Sequence, residues 1–89
     1  MFQQQMNINI DDENLWYLFF EDNNSRKTIT IRINNEKLVK EAISMYMLKS
    51  GRTDKCRFIF NHQYLFPEIK INQSGLNHKS RILVISTQN

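Results

Sequence analysis

Cys56, His62 and His78 are the chain's only thiol and its only two imidazoles, so they bound whatever nucleophilic or general-base chemistry it could perform. A cysteine nucleophile needs a base oriented beside it. These three residues fall in short stretches of loop and strand end, and their spacing matches no such arrangement. As metal ligands they number three, and a structural zinc needs four, so a carboxylate would have to complete the set. A single cysteine also excludes an intrachain disulfide and a four-thiolate centre. No glycine-rich phosphate loop is present either. The expectation is therefore a non-enzyme with no catalytic residue, no metal, no cofactor and no small-molecule substrate. Cys56 reads as a small strand residue and each histidine as a solvated loop residue.

The elements that would position any functional surface belong to one domain, because a chain of 89 residues buries only roughly 60–65% of its unfolded surface and cannot divide that between two cores. With 40% apolar residues and 11% aromatics it can fold without staples. Twelve Lys and Arg against nine Asp and Glu give a net charge of +3, scattered over Arg26-Lys27, Lys37, Lys40, Lys55, Arg57, Lys70 and Lys79. That dispersion lacks the clustered basic stripe of a nucleic-acid surface, so no nucleic-acid partner is expected. No apolar run approaches the roughly 18–20 residues that cross a membrane. The opening MFQQQMNINIDDE matches neither a secretory signal nor a transit peptide. The expected location is the cytoplasm, in keeping with the lone cysteine. A mitochondrial or cytoskeletal assembly stays open, since the Asn- and Gln-rich composition hides weaker targeting signals.

Residues 1–13 are polar and acidic apart from Phe2 and the alternating Met6, Ile8 and Ile10. They read as an arm that is flexible, or that orders on a partner as an extra edge strand. The run LWYLFF, residues 15–20, is too short for a buried helix and suits a strand buried on both faces. Turn formers Asp22-Asn23-Asn24-Ser25 join it to the strict alternation of 28–34, a half-buried strand, and the pair predicts a hairpin. A helix follows, with Asn35 as its N-cap, Glu36 in its first turn and Gly51 as its stop. Val39, Ala42, Ile43 and Tyr46 form its core face, and Met45 and Leu48 lie outside the centre of that stripe. CRFIFN, residues 56–61, is a third strand. Tyr64-Leu65-Phe66 makes a short fourth one ended by Pro67, and 68–79 is a loop pinned by Ile69, Ile71 and Leu76 with one helical turn. RILVIS, residues 81–86, is the last strand, apolar on both faces. One helix against a mixed sheet is an α+β architecture.

CRFIFNHQYLF…SGLNHKSRILVIST resembles the second half of a ubiquitin-like domain, in which R-L-I-F-x-G-x-x-L precedes a long loop and a final S-x-L-x-L-V strand. Arg57, Phe58, Ile59, Phe60, Leu65, Ile71, Leu76, Ser80, Ile82, Val84 and Ile85 fall at matching positions without a gap. KTITIRIN is similar to the family's second strand, and Val39, Ala42 and Tyr46 to the core face of its helix. The likeness runs over residues 15–87, giving an arm 1–13, a domain 14–87 and a tail 88–89. It departs from the family where His62 replaces a turn glycine and where Ser74-Gly75-Leu76 replaces a tyrosine-bearing loop.

The resemblance implies a β-grasp roll, a mixed four- to five-stranded sheet whose centre holds the first, last and third strands, with the helix on one face only. Phe58, Phe60, Ile82, Val84, Ile29, Ile31 and Ile33 would then point inward. Ile59, Leu83 and Ile85 would lie on the uncovered face, joined either by Trp16, Leu18 and Phe20 or by Tyr17 and Phe19. In ubiquitin that face carries the patch its receptors bind, so the implied partner-binding set is Ile59, Leu83 and Ile85 with Arg57, His62 and Gln63. The implied function is a noncatalytic protein-binding domain, an adaptor or structural subunit of a multi-subunit assembly. The competing class is a covalent modifier, which needs a C-terminal Gly-Gly. The chain ends Ile85-Ser86-Thr87-Gln88-Asn89, so that reading requires processing from a longer precursor.

Overall fold

A computed structural model describes residues 13–87, so the expectations placed on 1–12 and 88–89 lie outside the described residues. In chain order the elements are β1 (Leu15–Asp22), β2 (Thr28–Asn34), α1 (Val39–Ser50), β3 (Cys56–Phe60), β4 (Gln63–Tyr64), a 3₁₀ turn (Ile71–Gln73) and β5 (Arg81–Ser86). The sheet order is β2-β1-β5-β3-β4, with β1 and β5 parallel and the other pairs antiparallel. The three segments that are apolar on both faces are thus the three central strands, and the strictly alternating one is an edge, as the resemblance implied.

Period-two alternation decides what each strand buries. Leu18 and Phe20 are fully buried together with Ile31, Ile33, Ile82 and Val84, and Trp16, Ile29, Phe58 and Phe60 pack against them. The helix supplies Val39, Ala42 and Tyr46 to the same core. Phe20 stacks on Tyr46 at 4.8 Å between ring centroids, and Phe58 stands edge-on to both rings at 5.9 Å. Such pairs add about 0.5–1.5 kcal/mol each beyond area burial, and here they lock α1 to the middle of the sheet. Buried Ile71 and Leu76, with half-buried Ile69, pin the long loop as expected.

Two expectations on the helix and one on the fourth strand are corrected. Asn35 is not the N-cap, and Glu36 lies before the helix, which begins at Val39 after Leu38. The Asn35 side chain accepts a hydrogen bond from Asn72 Nδ2 at 3.3 Å, while its carbonyl takes the Asn72 N–H at 3.0 Å. The first free amides of the helix are met from the long loop, Val39 N–H by the Ile69 carbonyl and Lys40 N–H by the Pro67 carbonyl, each at 2.9 Å. Glu41 reaches back to the Leu38 N–H at 3.2 Å. Gly51 does end the helix, in the left-handed region at φ 76°, with its N–H on the Met47 and Leu48 carbonyls. The fourth strand covers Gln63–Tyr64 instead of 64–66. Leu65 donates its N–H to Phe58 and turns toward the core, which takes the chain out of the ladder.

Arg52 ties the lower end of the sheet together. Its guanidinium forks onto both oxygens of Asp54 at 3.0 Å, donates to Tyr46 Oη at 3.1 Å and pairs with Asp22 at the end of β1. Asp22 also accepts the N–H groups of Asn24 and Ser25, closing the β1–β2 turn. The Ser25 amide and then Arg52 hold the Asp22 carboxyl down at about 2, and Arg52, followed by Ser86, holds Asp54 well below the usual carboxylate range.

Candidate protein-binding face

With Leu18 and Phe20 inward, the uncovered face takes Tyr17 and Phe19 from β1 and leaves Trp16 with the core. Strand register then builds the face row by row. Arg57 lies opposite Ile85, Ile59 opposite Leu83 and also opposite Tyr64, and Phe19 lies opposite Thr30 on one side and Arg81 on the other. Leu83 is beside Glu21. Ile59, Leu83, Ile85 and Phe19 are half-buried instead of open, because polar neighbours on the same face lie across them.

Those neighbours are arranged as stacks and pairs. The Arg81 guanidinium sits over the Phe19 ring at 5.5 Å and bonds Glu21 at 3.2 Å. Arg26 bonds the other oxygen of Glu21 at 2.8 Å, so this carboxylate is neutralised twice. Arg57 lies over the Tyr64 ring at 5.2 Å and donates to the Tyr64 hydroxyl. It has no carboxylate partner among the described residues. Glu21, Ile59, Asn61, His62, Arg81 and Leu83 surround a hollow of about 260 Å³ between these two stacks.

The structure thus brings Arg57, Ile59, Leu83 and Ile85 onto one face with His62 at its rim, but it does not bring Gln63 there, since Gln63 pairs with inward-facing Phe60 while Tyr64 takes the place opposite Ile59. Asn61 and His62 form the β3–β4 turn, both in the left-handed region at φ 56° and 67°. Reading the sequence missed Glu21, Tyr64 and Arg81. Register could have found Tyr64 and Arg81 once β3 and β5 were placed, but the double pairing of Glu21 depends on Arg26 reaching back from the turn. Cys56 opens β3, its sulfur 3.6 Å from an Asp54 oxygen, and burial pushes the thiol pKa up. His78 accepts the Tyr17 N–H on Nδ1 at 3.0 Å and so serves as part of the loop that docks on β1. Among the described residues no group of three His, Cys, Asp or Glu is placed to hold a metal ion.

A second surface was not foreseen. Tyr17, Thr30, Ile31, Arg32, Met45, Leu48 and Lys49 line a groove of about 630 Å³ where the outer edge of β2 meets α1. Leu48 is 84% exposed there, which follows from its place outside the core stripe of the helix.

Neither the protein-family models nor the curated proteins give a match to this sequence. Solved structures do. One, from work on molecular mimicry of SUMO that promotes DNA repair, is 19% identical, with 80% of this chain and 90% of that chain covered at a TM-score of 0.69. Another, a de novo design based on ubiquitin, is 12% identical, with 85% of this chain and 93% of that chain covered at a TM-score of 0.73. At these identities the likeness is one of fold. The chain has the ubiquitin-like β-grasp fold, five strands in a mixed sheet with one helix on one face.

Proposed function

We propose that the chain is a noncatalytic ubiquitin-like protein-binding domain, an adaptor or structural subunit that joins a protein assembly through its uncovered sheet face. The observation that carries this reading is the Ile59–Leu83 pair with Ile85. It lies on a face that no other described element covers, beside an arginine that lacks a carboxylate partner. Exposed clusters of large apolar side chains mark interaction sites more often than not. Full burial of three aliphatic side chains is worth about 5–9 kcal/mol gross, but Ile59, Leu83 and Ile85 are each already covered over most of their area. Association costs take several kcal/mol more. The apolar row alone therefore supports a weak contact, and a lasting one also draws on Arg57 and Tyr64.

Gel filtration of a cell extract containing the tagged chain, at low salt and at about 0.5 M salt, tests this. The wild type is expected in a large, salt-resistant complex, and Ile59→Asp is expected to elute near its own 10.7 kDa. Circular dichroism of the purified variant checks that it is folded. An unchanged elution of folded Ile59→Asp would remove this face as the partner site.

A further inference from the structure

A hollow without charged walls lies at the β4 edge of the uncovered face, and the geometry points to the phenol ring of a partner's tyrosine as its occupant. Its walls are Phe60 at the end of β3, Tyr64 of β4, the segment Leu65-Phe66 and, from the long loop, Ser74-Gly75, around about 180 Å³. Both sides are held in place. Leu65 donates its N–H to the Phe58 carbonyl at 2.9 Å and turns to the core, so Phe66, one residue on, faces outward and is 68% exposed. Pro67 restricts Phe66 to extended backbone, and the Pro67 and Ile69 carbonyls are fixed on the start of α1. On the other side, Ser74 Oγ donates to the Ile71 carbonyl at 2.6 Å and accepts the Leu76 N–H at 3.2 Å. A Cβ on Gly75 would meet nothing within 4 Å, so the space beside it is open.

The walls select the occupant. Phe60, Tyr64 and Phe66 suit an aromatic ring, since rings pair edge to face or offset. No charged side chain lines the hollow, which disfavours a carboxylate, a phosphate or an ammonium group there. Phe66 and Gly75 make no hydrogen bond among the described residues, and neither do the side-chain amides of Asn61 and Gln63 on the same hollow. A phenol supplies what these leave unmet, an apolar body with one hydroxyl that both accepts an N–H and donates to a carbonyl. An apolar cavity of about 150 Å³ holds benzene, so about 180 Å³ leaves room for the added oxygen.

Tyr64 makes the hollow continuous with the protein-binding face, and the assignment to a partner's tyrosine rests on that reading. Tyr64 lies opposite Ile59 in the β3–β4 pair, about 5 Å away, so a partner seated on Ile59 reaches the hollow across one residue. Gln63, which is not on that face, meets the same partner at the hollow.

Amide NMR of the purified chain with added p-cresol, the tyrosine side chain alone, tests the hollow. Saturable shifts at the Phe66 and Gly75 amides are expected, with a dissociation constant of about 1–10 mM. Phe66→Ala, at an exposed position, is expected to weaken binding roughly tenfold. Toluene, which lacks the hydroxyl, is expected to bind roughly fivefold or more weakly than p-cresol. Unshifted Phe66 and Gly75 amides at about 20 mM p-cresol, or equal affinity for toluene, overturn the proposal. Gel filtration of the cell extract tests the source of the ring, and folded Phe66→Ala is expected to lose most of the complex. A complex broken by Ile59→Asp but untouched by Phe66→Ala overturns the partner's tyrosine and leaves the face standing. A complex untouched by folded Ile59→Asp removes the face itself, and the partner's tyrosine with it, even where p-cresol binds.

Discussion

Arg52→Ala should be among the most damaging single changes to a side chain that is not apolar. Arg52 holds two carboxylates and the buried hydroxyl of Tyr46 at once, with about a fifth of its side chain exposed. Breaking a fully buried pair costs about 3–5 kcal/mol and an exposed one about 0–1 kcal/mol. This site lies between them, so about 2–3 kcal/mol is expected. In an 89-residue domain that lowers the melting temperature by roughly 10–20 °C. The sign with pH follows from Asp22, held at about 2 against an ordinary 3.8. A carboxyl depressed in the folded state contributes its full stability above about pH 4 and loses it as pH falls through about 2. Solvent screening of this partly exposed pair limits that contribution to about 1–2 kcal/mol. The Ser25 amide, the largest cause of the shift, survives in the variant, so only part of it disappears. Urea unfolding of both proteins from pH 7 to pH 2 should therefore show a gap that is widest at neutral pH and narrows toward pH 2. A gap under about 0.5 kcal/mol at pH 7, or one constant across that range, would mean that Arg52 contributes little through these carboxylates.

His62→Gly should stabilise the domain by about 1 kcal/mol in the same assay, because His62 sits at φ 67° in a two-residue turn where glycine bears no Cβ penalty. Cys56 should alkylate roughly tenfold more slowly than free cysteine at pH 8, since burial raises its pKa and outweighs the opposing pull of Arg52. A rate equal to free cysteine would mean that the start of β3 frays. Arg57→Gln should lower the salt concentration that dissociates the complex in extract far more than Arg81→Gln does, and equal effects would contradict the charge assignment of the face.

The alternation of 28–34 and the two-faced runs 15–20, 56–60 and 81–86 were legible because period two reports directly which faces are covered. The inward parity of β1 was not. Leu18 and Phe20 compete with Tyr17 and Phe19 as equals in apolar character, and charge does not separate them, since Glu21 continues one set and Asp22 the other. Only the pairing of Phe20 with Ile29 and Ile82, and its stacking on Tyr46, settles the choice. The helix start was misplaced for a related reason. Asn35 and Glu36 make a sound local cap signal, but Asn35 serves the long loop through Asn72, and that loop returns the carbonyls of Pro67 and Ile69 to the helix. Contacts made some thirty residues away override a local preference and leave no mark on local spacing. The β2–α1 groove was half legible: Met45 and Leu48 fell outside the core stripe, yet nothing local says that they flank an open strand edge.

Charge on the uncovered face is divided unequally, and this decides where a partner would gain most. At the β1 end, Arg81 is already paired with Glu21, which Arg26 also holds, so a partner carboxylate there would compete with an existing bond and face a nearby anion. At the β3–β4 end, Arg57 is held in place by the ring and hydroxyl of Tyr64 and lacks a carboxylate among the described residues. Its side-chain freedom is already reduced, so less entropy is lost when a partner's carboxylate arrives. Ile59 lies directly opposite Tyr64. The strongest contacts should therefore centre on Ile59, Arg57 and Tyr64, with Leu83 and Ile85 beside them and Phe19 at the margin. A partner that complements this face presents an apolar side chain with a carboxylate on its β3–β4 side, and one with carboxylates on the β1 side is disfavoured.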